Sequence, residues 1–138
     1  MKFIALKYAA FFAFLVLIVS CKKDPVDDFK SKIVGDWKYE KIVEKQYTFA
    51  GKLTFEKTAM ATNGEYYYFK KDGTAVQNAG FISNNTYKII SETRFELNTG
   101  LVNPCRVESI TANTFIFTVE GPKRDQMDYT EMTHYLKK

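Results

Sequence analysis

The chain has 138 residues and a formal net charge of +4, with 26% charged and 16% aromatic residues. That length admits one small domain and no second core. The weak positive balance gives little support to nucleic-acid binding, and two cysteines with one histidine do not make the usual zinc ligand sets.

The chain opens with Lys2 and Lys7 around a short polar-to-apolar transition, followed by an uncharged apolar run over residues 9–19. This is the pattern of a secretory signal peptide, and it falls short of the roughly 20 apolar residues of a membrane-spanning helix. Small Ser20 then precedes Cys21. Ile18-Val19-Ser20-Cys21 resembles the lipobox of bacterial lipoproteins. The resemblance implies removal of residues 1–20 and acylation of Cys21 by palmitate-type chains, so that the mature protein meets the membrane through its N-terminal lipid. Each buried acyl CH₂ contributes ~0.8 kcal/mol, so two or three chains hold the protein durably. Lys22, where an Asp would resemble an inner-membrane retention signal, favours the outer membrane of a Gram-negative envelope, on its periplasmic face or at the cell surface. Without the resemblance, the segment reads as an ordinary signal peptide followed by a chance cysteine.

Processing would leave roughly 120 residues, one small domain, with Lys2 and Lys7 gone and the net charge lowered accordingly. Cys105 then has no partner for an intramolecular disulfide, despite an oxidising compartment, and reads as a small buried apolar side chain.

Residues 21–31 form a lipidated tether, and residues 27–34 contain a helical turn that covers one end of the domain at 32–138. Beyond it the pattern is strands and turns. Over residues 35–49, Trp37, Tyr39, Val43, Tyr47 and Phe49 fall on one face, with Lys41 and Ile42 as exceptions to the alternation. In residues 50–64 Leu53 and Phe55 alternate with polar neighbours but Ala59-Met60-Ala61 does not commit, and the segment reads as a long mobile loop with a short strand as the alternative. Asp72-Gly73 is a two-residue hairpin signal of type I′. Ser83-Asn84-Asn85 reads as a turn, and Thr99-Gly100 and Asn103-Pro104 bracket another. The strands expected are 36–49, 65–71, 74–79, 86–91, 93–98, 105–110, 114–120 and 128–137. An antiparallel meander of this size hides its edges best by closing into an eight-stranded up-and-down barrel. Periodicity leaves a two-sheet sandwich open as the alternative.

Gly35-Asp36-Trp37 at the head of the first strand is similar to the Gly-x-Trp element of lipocalins. Residues 32–38, 68–74, 87–89, 110–115 and 135–138 also resemble, in order, the lipocalin-like domains of small Gram-negative lipoproteins. The resemblance implies a calycin-type barrel with Trp37 across its closed end. It also implies an arginine packed on that Trp, for which Arg94 and Arg106 are the candidates.

For catalysis the residues offer little. His134 stands alone on the last strand, where it reads as a surface or core partner. Asp125 and Asp128 share a polar loop, and no phosphate-binding or EF-hand loop is present. The expectation is a protein that is not an enzyme and carries no cofactor or metal. It is expected to be a monomer with no nucleic-acid partner. Binding is better supported. Trp37, Tyr39, Val43, Tyr67, Phe69, Tyr87, Ile89, Phe95, Leu97, Phe115 and Phe117 are the candidate barrel lining. In a hollow barrel they would line a pocket for a small apolar or amphipathic ligand. In a filled one they are the core of an envelope interaction or structural module, which would use exposed tyrosines such as Tyr66 and Tyr68.

Overall fold

A computed structural model describes residues 24–138; the segment expected to be a signal peptide and Cys21 lie outside the described residues. The first element is helix α1, Pro25–Ile33. Asp24 caps it by accepting a hydrogen bond from Val26 N at 2.9 Å, and Pro25 sits where its missing N–H costs nothing. Asp27 and Asp28 occupy the first turn, and Lys30 and Lys32 the last, each matched in sign to the helix dipole. Phe29 and Ile33 are the buried residues of α1. Most of the segment expected to be tether is therefore this helix.

Nine strands follow: β1 (Gly35–Tyr47), β2 (Leu53–Met60), β3 (Tyr66–Phe69), β4 (Thr74–Asn78), β5 (Ile82–Ser91), β6 (Arg94–Asn98), β7 (Val102–Ile110), β8 (Thr114–Glu120) and β9 (Tyr129–Lys137). From β3 to β9 each strand pairs antiparallel with the next, and β1 closes the ring by pairing with both β3 and β9. The result is the all-β, up-and-down barrel of eight strands, with β2 as an addition on the edge of β1.

The addition arises because β1 changes partner along its length. Its residues 35–38 pair with β3, and its residues 41–47 pair with β2. At the branch Tyr39 N donates to Glu65 O and Ala61 N donates to Glu40 O. All eight residues of β2 are exposed, so the segment read as a loop shows no burial alternation although it is a regular strand.

Three further readings are corrected. Ser83, Asn84 and Asn85 lie inside β5, with Asn85 buried, whereas the turn bracketed by Thr99-Gly100 and Asn103-Pro104 lies between β6 and β7. At Asp72-Gly73 only Gly73 takes a positive φ, +84°, among the described residues of that turn. Gly73 N donates to Lys70 O and Lys70 N donates to Thr74 O. This is a three-residue loop, a type I turn closed by a left-handed glycine, rather than type I′.

The third correction concerns faces. The register of β1 against β9 shifts between Tyr39 and Lys41, so one extra residue, Glu40, enters β1 there. A one-residue slip exchanges inside and outside. Beyond the shift Ile42 stands opposite His134 and Val43 opposite Thr133. Directly opposed residues share a face. Ile42 therefore joins the core and Val43, although buried, points away from the barrel interior.

The closed end of the barrel is solid. Trp37 and Phe115 have ring centroids 5.5 Å apart, and Phe69, Phe95 and Phe29 lie 5.9, 6.1 and 6.4 Å from Phe115. Phe29 reaches this cluster from α1, and Trp37 Nε1 donates to Ile33 O at 2.7 Å. The helix thus seals the end where β1 begins, as the sequence predicts.

Candidate functional site

Above the aromatic base the interior becomes polar. Successive inward pairs between β8 and β9 are Phe115 with Leu136, Phe117 with His134, and Val119 with Met132. His134 therefore occupies the middle layer. Its ring stacks on Phe117, with centroids 4.7 Å apart and planes 9° apart. Tyr39 Oη lies 3.2 Å from His134 Nδ1 and accepts from Gln77 Nε2 at 3.0 Å. Tyr67 packs beside both, with ring centroids 5.5 Å from Tyr39 and 6.0 Å from His134.

Every titratable member of this layer is uncharged at neutral pH, and burial is the main reason. It pushes the phenols of Tyr39 and Tyr67 above their ordinary range and the Cys105 thiol up to about 12. It holds the His134 imidazole down to about 4. Cys105 is free and buried, with Sγ donating to Asn103 O at 3.5 Å.

The next layer is the mouth. Asn103 stands opposite buried Leu97, and Val119 opposite buried Cys105, so both face inward. Together with Thr130, Met132 and the loop at residues 121–128 they bound a cavity of about 350 Å³. Val119, Met132 and Pro122 give it apolar walls, and Asn103, Thr130 and Asp128 place polar atoms around it. Asp128 also ties the mouth together by accepting from Phe49 N at 3.1 Å.

The expected lining residues divide into groups. Trp37, Phe69, Phe95, Leu97, Phe115 and Phe117 are each at most 2% exposed and belong to one packed cluster. Tyr39 and Tyr67 form the polar layer. Tyr87 and Ile89 are half-buried and face a crevice of about 680 Å³ between α1, β5 and the turn at residues 71–73. Tyr87 is held there by donating to Lys70 O at 2.6 Å. Val43 is on the outer face.

Neither candidate arginine touches Trp37. Arg94 and Arg106 both pair with Glu120, at 3.2 and 2.7 Å, on the outer surface of the sheet. The cation over the Trp37 ring is the C-terminal residue, with Lys138 Nζ 4.7 Å from its centroid. Of the two tyrosines expected on the surface, Tyr68 is exposed and Tyr66 half-buried.

Sequence reading passed over Gln77, Asn103, Val119, Thr130 and Met132, and it left His134 without a role. The signal was present for part of this set, because Met132, His134 and Leu136 alternate on β9 with the parity of the core.

No protein-family model matches the chain, and no curated protein matches it. Among solved structures the chain is similar to the bovine lipocalin allergen Bos d 2, at 17% identity and a TM-score of 0.49, over 79% of this chain and 74% of that one.

Proposed function

We propose that the mature protein is a lipid-anchored envelope protein whose lipocalin-like barrel binds a small apolar or amphipathic molecule at its mouth. The observation that carries the reading is the mouth cavity of about 350 Å³, bounded by inward faces of β7, β8 and β9 above a sealed aromatic base. Its size is within the usual range for small-molecule sites, about 300–1,000 Å³. The space for a ligand is the mouth, and the buried part of the candidate lining beneath it serves as core.

The anchor fits this arrangement. Two residues, Lys22 and Lys23, separate Cys21 from Asp24, where the described chain begins, so the two Cα atoms are at most ~11 Å apart. Lipidation at Cys21 would hold the sealed end of the barrel toward its bilayer and leave the mouth facing away.

Titration with an uncharged apolar fluorophore, N-phenyl-1-naphthylamine, tests the reading. The expected result is saturable binding that is lost in Val119→Trp, a variant that fills the mouth. No saturable binding, or equal binding by the variant, would refute it.

One observation favours the alternative of an interaction module. The turns at the mouth end carry exposed apolar residues: Phe49 at 65%, Phe81 at 72%, Leu101 at 77% and Met127 at 54%. The turns at the sealed end, at residues 70–73 and 111–113, carry none. An apolar rim of this kind suits a protein partner as well as ligand entry.

A further inference from the structure

The sealed end of the barrel carries a cavity of its own. The crevice of about 680 Å³ between α1, β5 and the turn at residues 71–73 has an apolar floor. Val34, Tyr87 and Ile89 are half-buried there and pack against the aromatic core. The Tyr87 ring meets Phe69 at 5.2 Å between centroids, and its hydroxyl is engaged by Lys70 O. What Tyr87 adds to the crevice is therefore ring carbon.

The border of the crevice is cationic. Lys30, Lys71 and Lys88 stand around the floor, against one carboxylate, Asp72. That carboxylate is held within its own turn, accepting from Thr74 N at 2.9 Å and from Thr74 Oγ1 at 2.6 Å. Lys30 lies 3.5 Å from Asp27, both side chains being exposed. Lys71 and Lys88 make no ion pair among the described residues. Ammonium groups above a hydrocarbon floor match an amphiphile with an anionic head.

Position selects among such amphiphiles. Lys30, Ser31 and Val34 share one face of α1. Lys30 stands ~9 Å along the helix from its cap, Asp24, and Cys21 is within ~11 Å of Asp24. The crevice thus begins within ~20 Å of the residue read as the anchor, on the side of the barrel that anchor would hold to the bilayer.

We propose that this crevice seats the headgroup and first methylenes of an anionic phospholipid drawn from the anchoring bilayer. Its phosphate lies among Lys30, Lys71 and Lys88, and its chain lies against Val34, Tyr87 and Ile89. This rests on acylation of Cys21, as proposed above. A lipid held in this way fixes the barrel with its sealed end on the membrane and its mouth turned away.

The test uses the full mature chain carrying Cys21→Ser, which leaves every described residue in place. Amide shifts are followed by NMR during titration with monomeric dihexanoyl phosphatidylglycerol and, separately, dihexanoyl phosphatidylcholine. Saturable shifts are expected at residues 30–34, 71–73 and 87–89 with phosphatidylglycerol, and an affinity at least roughly tenfold lower for phosphatidylcholine. The double variant Lys71→Gln/Lys88→Gln is expected to bind phosphatidylglycerol at least roughly tenfold more weakly. Lys52→Gln/Lys57→Gln makes the same charge change on exposed lysines of the β1–β2 hairpin and is expected to leave binding unchanged. Equal affinity for the two lipids, or an equal loss in both double variants, would overturn the proposal. Shifts confined to mouth residues such as Val119 and Met132 would overturn it and assign the lipid to the mouth. No response to either probe would also overturn it, leaving the crevice to a protein partner or to the protein's own acyl chains. The protein is unacylated and the probes are soluble, so none of these outcomes depends on the anchor, which membrane fractionation of Cys21→Ala tests separately.

Discussion

His134 lies flat against Phe117, with 4.7 Å between ring centroids, and its Nδ1 is 3.2 Å from Tyr39 Oη. The imidazole is folded into the barrel in its neutral form. Its folded pKa, about 4, is below its ordinary value of 6.5 because burial penalises the cation. The unfolded chain therefore binds a proton first as pH falls. The corresponding stability is complete above pH 6.5 and is lost progressively toward pH 4, by up to ~3 kcal/mol. Urea midpoints at pH 7.5 and pH 4.5 should show this loss, and His134→Gln should show less of it than the unmodified protein.

Trp37 is fully buried, donates to Ile33 O, and carries Lys138 over its ring. Trp37→Ala removes the hydrogen-bonded link between α1 and the base of the barrel and leaves the Phe29 contacts. The expected cost is ~3–5 kcal/mol, read as a shift in the urea midpoint. Trp37→Phe keeps the contact with Phe115 and should cost less.

Gly73 has φ +84°, and a Cβ there would meet Tyr87 O at 3.3 Å. Gly73 O also accepts from Tyr87 N at 2.7 Å. Gly73→Ala must hold an L residue in the left-handed region against a backbone oxygen, at an expected cost of ~1–2 kcal/mol. Asp72→Gly in the same turn strains nothing but loses the bonds that Thr74 donates to its carboxylate. Thermal melts of the two variants separate backbone strain from capping.

Cys21→Ala tests the anchor. The expected outcome is protein in the soluble envelope fraction, or unprocessed precursor. Membrane fractionation indistinguishable from the unmodified protein would refute lipidation at this residue.

The parts of the barrel that were legible in the sequence are those with one buried face. Tyr67 and Phe69, Phe95 and Leu97, and Phe115 and Phe117 alternate with more exposed neighbours, so period and burial coincide. Where both faces of a strand meet water, as in β2, burial imposes no alternation, and Leu53 and Phe55 are its only fragment. The bulge at Glu40 is likewise silent, because Ile42 and Val43 are both apolar and only the pairing with β9 decides which one faces in. The polar layer was illegible for a different reason. Tyr39 meets Gln77 across 38 positions of chain and His134 across 95, and no local pattern links residues so far apart. Turn-prone Asn84 and Asn85 misled in the opposite sense, since β5 continues through them and buries Asn85.

The central claim is that this barrel carries a small molecule at its mouth. Native mass spectrometry of the protein purified from its own envelope tests it most directly. The account predicts a bound species of constant added mass that is absent from Val119→Trp prepared in the same way. Spectra showing only the polypeptide with its covalent modifications, for both proteins and under gentle ionisation, would contradict it.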